Sequence, residues 1–303
     1  MGAKRAAAVD VGTNSFLLLI LERDTDGAER VVLDRSDITR LGQGVDAARR
    51  LQPEAIARGL EQLALYRRLI DEHGVSAVRA VGTSALRDAA NRDQFITPAA
   101  GLGIPVEVIS GEREAELAFA AVAAEHAGAE LLNLDIGGGS TELVQGRSGR
   151  IAWRRSLDIG AVRLTDRWGP MADPPTAAEL ACCQALAAEH LTTVEPTQAM
   201  VVGTGGTITT LAAVHHGLTA YDAATVTATR LTPAVVAALI ARLAAVPLAE
   251  RRRIAGLPPK RADVILAGAV LLAEVLGRLR VAEMGVSAGG LRFALAREVL
   301  AAG

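Results

Sequence analysis

Leu131-Leu132-Asn133-Leu134-Asp135-Ile136-Gly137-Gly138-Gly139-Ser140-Thr141-Glu142 is the stretch on which the fold turns: an apolar strand runs into an acidic, glycine-rich turn and leaves it as a second strand. Three consecutive glycines remove the Cβ atoms that would keep a ligand off the backbone. Successive N–H groups can therefore converge on an anion as a nest. Asp135 and Glu142 bracket that nest, and hard carboxylate oxygens beside a phosphate site suit Mg²⁺, which completes its shell with water and phosphate. Aspartate followed by glycine is also an ordinary turn after a strand, so the reading depends on the rest of the chain.

The chain has 303 residues, half of them hydrophobic, which is comfortable for two domains and needs no metal or disulfide staple. Cys182 and Cys183 are adjacent in a helical pattern and form no disulfide framework, so a reducing cytoplasm is the expected location. Asp10 interrupts the small apolar run after Lys4 and Arg5, and no secretory signal is expected. The apolar run 264–273 falls short of the roughly 20 residues that span a bilayer. A net charge of −2 argues against a general nucleic-acid surface. Of the 32 basic residues only Lys4 and Lys260 are lysines; codon bias accounts for most of this, although arginine forks in the right loops match phosphate oxygens.

Outward from the opening stretch, the chain reads as one unit repeated. Strands are expected at residues 6–9, 16–21 and from 30, then a helix from Pro53 with Ile56, Leu60, Leu63 and Ile70 on one face, closed by His73-Gly74. A strand at 77–81, a helix, a strand at 106–109 and a helix to about 126 follow. The pattern then restarts with strands at 131–135, 141–145 and 150–156, the last two joined by the turn 146–149. Helices come next, including 176–191, then a strand at 199–202, a long helix at 261–279, a strand at 281–286 and a last helix from 291. Val9-Asp10-Val11-Gly12-Thr13-Asn14-Ser15 mirrors Leu134-Asp135-Ile136-Gly137-Gly138-Gly139-Ser140, and Val81-Gly82-Thr83-Ser84 answers Val202-Gly203-Thr204-Gly205-Gly206. Two duplicated α/β domains are expected, 1–126 and 127–303, with their glycine turns facing a shared cleft.

On these residues the chain resembles the exopolyphosphatase and guanosine-pentaphosphate phosphatase (Ppx/GppA) family, a branch of the actin, sugar-kinase and Hsp70 ATPase fold. The resemblance runs in order through Asp10–Ser15, Gly82-Thr83-Ser84-Ala85-Leu86-Arg87, Ser110-Gly111-Glu112-Arg113-Glu114-Ala115 and Asp135–Glu142. It continues through Ile159-Gly160-Ala161-Val162-Arg163-Leu164, Gly203–Thr207, Arg261-Ala262-Asp263 and Gly289-Gly290-Leu291-Arg292. It implies two actin-like ATPase (ribonuclease H-like, βββαβαβα) domains. Two departures stand out. The additional helical module related to HD-type phosphohydrolases, carried by many members, is not found here, and Phe293 follows Arg292 where the family commonly has an acidic residue and glycine.

The resemblance also implies roles. Glu114, directly before Ala115, matches the glutamate that orients or deprotonates the attacking water; by itself a glutamate in a first helical turn would be read as a cap. Asp135 and Glu142 match the metal-site acids, for Mg²⁺ with Mn²⁺ as a substitute, and Asp10 is their counterpart in the first half. Gly12, Asn14 and Ser15, with Gly137, Gly138, Gly139 and Ser140, would donate to phosphate oxygens from two sides. Arg87 matches the arginine of the first-domain substrate motif, and Arg261 is a further phosphate-binding candidate. A Walker-A loop is excluded because neither lysine follows a glycine, and the five histidines form no zinc-binding His-Glu-x-x-His pattern. The expected activity is an exopolyphosphatase releasing orthophosphate from polyphosphate by Mg²⁺-dependent in-line attack of water. A pppGpp 5′-phosphohydrolase uses the same groups, and a non-catalytic actin-like nucleotide-binding protein is the alternative from another class. The partners implied are polyphosphate or pppGpp, with no nucleic acid or membrane and with a homodimer admitted.

Overall fold

The computed structural model describes residues 3–169 and 171–302. The chain divides into two compact units, one of Met1–Ala121 with Gly289–Gly303 and the other of Val122–Ala288. In the first, β1 (Lys4–Val11), β2 (Ser15–Arg23) and β3 (Glu29–Ile38) form an antiparallel meander, followed by α1 (Val45–Ala48), α2 (Pro53–Glu72), β4 (Ala77–Gly82), α3 (Ser84–Asp88), α4 (Asp93–Gly101), β5 (Val106–Val108) and α5 (Gly111–Glu125). The sheet order is β3-β2-β1-β4-β5, with β4 and β5 parallel to β1. β1 is buried on both faces: Ala7, Val9 and Val11 join the core that also holds Leu63, Tyr66 and Ile70 of α2, while Ala6 and Ala8 pack with Leu117 and Ala121 of α5. Alternation of side chains along β1 therefore puts Asp10 on the α5 face.

The second unit begins with the same signature. β6 (Glu130–Ile136), β7 (Thr141–Arg147) and β8 (Arg150–Leu157) form a meander, then come α6 (Ala161–Trp168), α7 (Ala177–Glu189), β9 (Met200–Thr204), α8 (Gly205–His216), α9 (Ala223–Ala228), β10 (Arg230–Leu231), α10 (Pro233–Ala244), α11 (Leu248–Arg251), α12 (Ile265–Leu279), β11 (Met284–Val286) and α13 (Leu291–Ala302). Its sheet order is β10-β11-β9-β6-β7-β8. Ser148 and Gly149, both at positive φ, make the tight hairpin between β7 and β8, as the turn residues at 146–149 predict. Leu132, Leu134 and Ile136 of β6 pack into a single large core with α8, α10 and α12.

Three expectations shift. The long helix at 261–279 starts at Ile265, because Pro259–Arg261 form a separate 3₁₀ turn. The strand at 281–286 is reduced to Met284–Val286. The domain limits 1–126 and 127–303 also differ from the structure: the division falls inside the continuous helix α5, and α13 belongs to the first unit. The physical reason is burial. Leu291, Leu295 and Leu300 of α13 pack with Ala6, Ala8 and Leu19 on the face of the first sheet left by α5. The ionic ring around this helix reinforces the packing. Arg292 donates to both carboxylate oxygens of Asp34 at 2.8 Å, Arg297 reaches Glu29 at 2.9 Å, and Glu298 accepts from Arg79 and Arg113. Arg292 also lies 4.8 Å above the Phe293 ring, which gives that departure from the family pattern a packing role.

Burial raises the Glu29 carboxyl, but hydrogen bonds from Arg23 and Arg297 outweigh it and hold the group below the ordinary value of 4.5. A carboxyl depressed on folding contributes stability above its unfolded pKa and loses it as pH falls through the folded one. Acidification below about pH 4 should therefore loosen α13 before the second sheet. Hydrogen exchange in α13 is expected to accelerate there, and Glu29→Gln to remove part of that pH dependence; identical α13 protection at neutral and acidic pH would contradict it.

Candidate active site

The turn between β6 and β7 is closed by Gly137 N donating to Ser140 O at 3.0 Å. Its carbonyls are held from one side by the start of α6. Ala161 N donates to Gly137 O at 2.9 Å, and Val162 N and Arg163 N donate to Gly138 O at 2.8 and 3.1 Å. The Arg163 side chain completes the row, its Nε donating to Gly139 O at 2.7 Å. In a trans peptide the carbonyl and the next amide point in opposite directions. With the carbonyls of Gly137, Gly138 and Gly139 turned to α6, the N–H groups of Gly138, Gly139 and Ser140 face away from it, as an anion nest requires. Gly160 permits this approach, since a Cβ there would lie 2.7 Å from the oxygens of Gly137 and Gly138.

The turn between β1 and β2 repeats the device. Gly12 N donates to Ser15 O at 3.1 Å, and a Cβ on Gly12 would sit 2.7 Å from that oxygen. Thr13 O accepts from Gly42 N at 2.8 Å, and Asn14 O accepts from Thr39 N and Arg40 N at 3.1 and 2.9 Å. The amides of Asn14 and Ser15 are thereby turned to the opposite side. The duplication seen in the sequence is thus a duplication of hydrogen-bond geometry.

Beside the second turn, Asp135 and Glu142 are directly paired across β6 and β7, and Ser156 of β8 is paired with Glu142. The three side chains share one face of the sheet, opposite Leu132, Leu134 and Ile136. Glu142 is 2% exposed and accepts from Ser156 Oγ at 2.8 Å. The start of α8 approaches the other acid: Gly205, at φ +85°, has its Cα hydrogen where a Cβ would lie 2.2 Å from Asp135 Oδ1. Asp10, in the first unit, ends β1 as Asp135 ends β6.

Arg261 lies within the second unit beneath the first turn of α8. It is 8% exposed, donates to Gly206 O and, at 2.7 Å, to Thr210 Oγ1, and occupies the space that a Gly206 side chain would take. Burial lowers its pKa to about 10, so it remains a cation at neutral pH. Through Nη1, Arg261 braces the first turn of α8.

In the first unit, Glu114 stands in the first turn of α5 and pairs with Arg87 of α3, whose Nη1 lies 2.6 Å from Glu114 Oε2 and also donates to Ile109 O at 3.1 Å. Both side chains are about one-fifth exposed, 17% for Glu114 and 21% for Arg87. The helix is capped by Ser110, whose Oγ accepts from Arg113 N. The capping-box position thus belongs to Arg113, and Glu114 is left to Arg87.

These groups can be set beside those of known proteins. Residues 20–299 match the model of the Ppx/GppA phosphatase family. The chain belongs to that family. Over 299 residues it is 41% identical to Exopolyphosphatase 2 of Mycobacterium tuberculosis, covering 92% of each chain. The crystal structure of the Aquifex aeolicus Ppx/GppA family member superposes with a TM-score of 0.82 at 36% identity over 99% of both chains. An exopolyphosphatase from Cytophaga hutchinsonii gives a TM-score of 0.88 at 31% identity over 99% of this chain and 98% of that one. The fold is the two-sheet, actin-like ATPase architecture of Ppx/GppA proteins, and the enzyme is a phosphoanhydride hydrolase.

Arg163 lies in the motif Ile159–Leu164 with no role legible in the sequence, and its buried contact to Gly139 appears only in the structure. Its placement alone carries a sequence signal, since an arginine four residues after Ile159 and three after Gly160 falls in the first turn of the helix facing the loop. For Arg261 the structure makes a direct prediction. Arg261→Met removes the donor to Thr210 Oγ1 and one of the donors to Gly206 O, which keeps the Thr210 hydroxyl, and should lower the unfolding free energy by about 1–3 kcal/mol. Urea denaturation measures this; an unchanged midpoint would place Arg261 outside the framework of α8.

Proposed function

We propose that this Ppx/GppA protein is an exopolyphosphatase, which removes orthophosphate from the end of inorganic polyphosphate by in-line attack of water. The observation that carries the reading is the Arg87–Glu114 pair, a carboxylate and a guanidinium 2.6 Å apart, in a chain where each glycine turn directs its backbone amides away from the element that holds its carbonyls. The 41% identity to Exopolyphosphatase 2 over most of both chains supports polyphosphate as the substrate class.

In this reading Glu114 is the catalytic residue that accepts the proton of the attacking water or orients it. Arg87 uses Nη1 for Glu114 and Ile109 O, and its Nε and Nη2 face of the fork is suited to a terminal phosphate. As phosphate oxygens compete for Arg87, the Glu114 carboxylate is released to meet water. In the first unit the amides of Asn14 and Ser15, and in the second those of Gly138, Gly139 and Ser140, are each suited to phosphate oxygens.

Asp135 and Glu142 fit a divalent cation. They are cross-strand neighbours on one sheet face, and two like charges directly opposite one another are destabilising without a counter-charge. Among the described residues no cluster of three or more His, Cys, Asp or Glu side chains is set to hold a metal. A site with two carboxylates and the remaining positions filled by water and phosphate is what Mg²⁺ takes, and Mn²⁺ accepts the same oxygen donors. Asp10 is the counterpart acid of the first unit, at the end of β1. Bound by Asp135 and Glu142, the cation would neutralise charge on the phosphoryl oxygens.

Glu114→Gln should fold with an unchanged melting temperature, keep KM near wild type and lose about 100-fold or more in kcat. Phosphate release with Mg²⁺ from long polyphosphate, short polyphosphate, pppGpp and ATP in parallel tests the substrate. Preference for polyphosphate is expected; preference for pppGpp would transfer the assignment to a pppGpp 5′-phosphohydrolase, and wild-type turnover by Glu114→Gln would remove Glu114 from the mechanism.

A further inference from the structure

The two glycine turns share a hydrogen-bond scheme and differ at one place. In the first, both bonds to the Asn14 carbonyl come from backbone amides, Thr39 N and Arg40 N. In the second, the counterpart carbonyl is that of Gly139, one residue beyond the reach of the α6 amides that hold Gly137 O and Gly138 O. A side chain supplies the missing donor. Arg163 is 5% exposed and its Nε lies 2.7 Å from Gly139 O.

We infer that Arg163 is a positioning residue for the phosphate loop, fixing the Gly139–Ser140 peptide so that the Ser140 amide faces the bound phosphate. The inference rests on reading residues 137–140 as the phosphate site. The sequence of the loop explains the need. The first loop carries Thr13 and Asn14, whose side chains restrict the backbone, whereas Gly138 and Gly139 have no such restraint and rotate their peptide planes at low cost. Three glycines let the backbone approach an anion closely, and the same freedom would let the last amide turn away. Arg163 removes that freedom from behind without touching the ligand. Its position is fixed in turn by the start of α6, where Leu164 is fully buried, and by Thr141 Oγ1 donating to Ile159 O at 2.6 Å, which ties the exit of the loop to the entry of the helix.

A positioning role predicts a particular kinetic split. Amides that hold the nonreacting side of the phosphate contribute equally to ground and transition states, so their loss raises KM and leaves kcat largely unchanged. In the full chain with Mg²⁺ and polyphosphate, Arg163→Met is expected to raise KM about ten-fold with kcat within about three-fold of wild type. Arg163→Lys, which keeps a donor on a long stem, should recover most of the loss. Titration with inorganic phosphate, followed by backbone NMR, should shift the Gly138, Gly139 and Ser140 amides in wild type, and the Ser140 shift should shrink in Arg163→Met. Arg163→Gln is read the same way if Arg163→Met does not fold. A variant with wild-type KM and a wild-type Ser140 shift overturns the inference while leaving the phosphate site intact. Absence of any loop shift and of polyphosphate hydrolysis in the wild-type protein overturns the underlying reading instead.

Discussion

A peptide that offers its amide to a ligand must place its carbonyl somewhere, and this constraint organises both halves of the protein. Each glycine turn is held by its oxygens: the first by the segment around Thr39 to Gly42, the second by the start of α6. The anion-facing amides are thus a consequence of packing on the far side. Helix α6 suits the task because its first-turn amides have no partners inside the helix. Gly160 lets that turn approach the loop within contact distance. The strand register then adds charge without further cost in backbone geometry, since Asp135 and Glu142 are neighbours simply because β6 and β7 are antiparallel with a four-residue turn between them.

The first unit solves a different problem. Glu114 is placed by the start of α5, and Arg87 by the short helix after β4, so the pair depends on how two helix starts lie at the ends of parallel strands. Those strands are stabilised on both faces, by α2 on one and by α5 with α13 on the other. The last helix in sequence therefore supports the sheet that carries Asp10, and its four-sided ion network restrains it more firmly than apolar contact alone. Glu298 is central to this network, joining Arg79 on β4 to Arg113 in the turn that carries Glu114.

Most of the fold was legible because its punctuation is local. Glycine and aspartate at strand ends, the 3.6-residue period of α2 and the repeated order of elements depend on neighbours in sequence. The return of α13 to the first sheet was not legible. Leu291, Leu295 and Leu300 announce an apolar face, but nothing in a helix names the surface it will cover. The same division runs through the candidate site. Gly12, Gly137 and the acids could be picked out because phosphate and metal chemistry need those residue types. For Arg261 the sequence shows the cation but not its enclosure against Gly206 and Thr210, an environment created by residues some fifty positions away. Arg163 escaped for the opposite reason, because its partner is a backbone carbonyl and no residue type signals that.

Electrostatics connects these placements. In the second unit the carboxylates lie on a sheet face where Glu142 is almost fully buried; Ser156 Oγ–H donates to Glu142, and the N-terminal end of α8 at Gly205 stands against Asp135. Arg163 and Arg261, two of the buried cations of this unit, donate to carbonyl oxygens of Gly139 and Gly206, and so they brace backbone that borders the acids. In the reading proposed above, the acid pair would hold a divalent cation and the neighbouring amides would hold phosphate. Cation and anion would then be attracted to adjacent places by different parts of one turn.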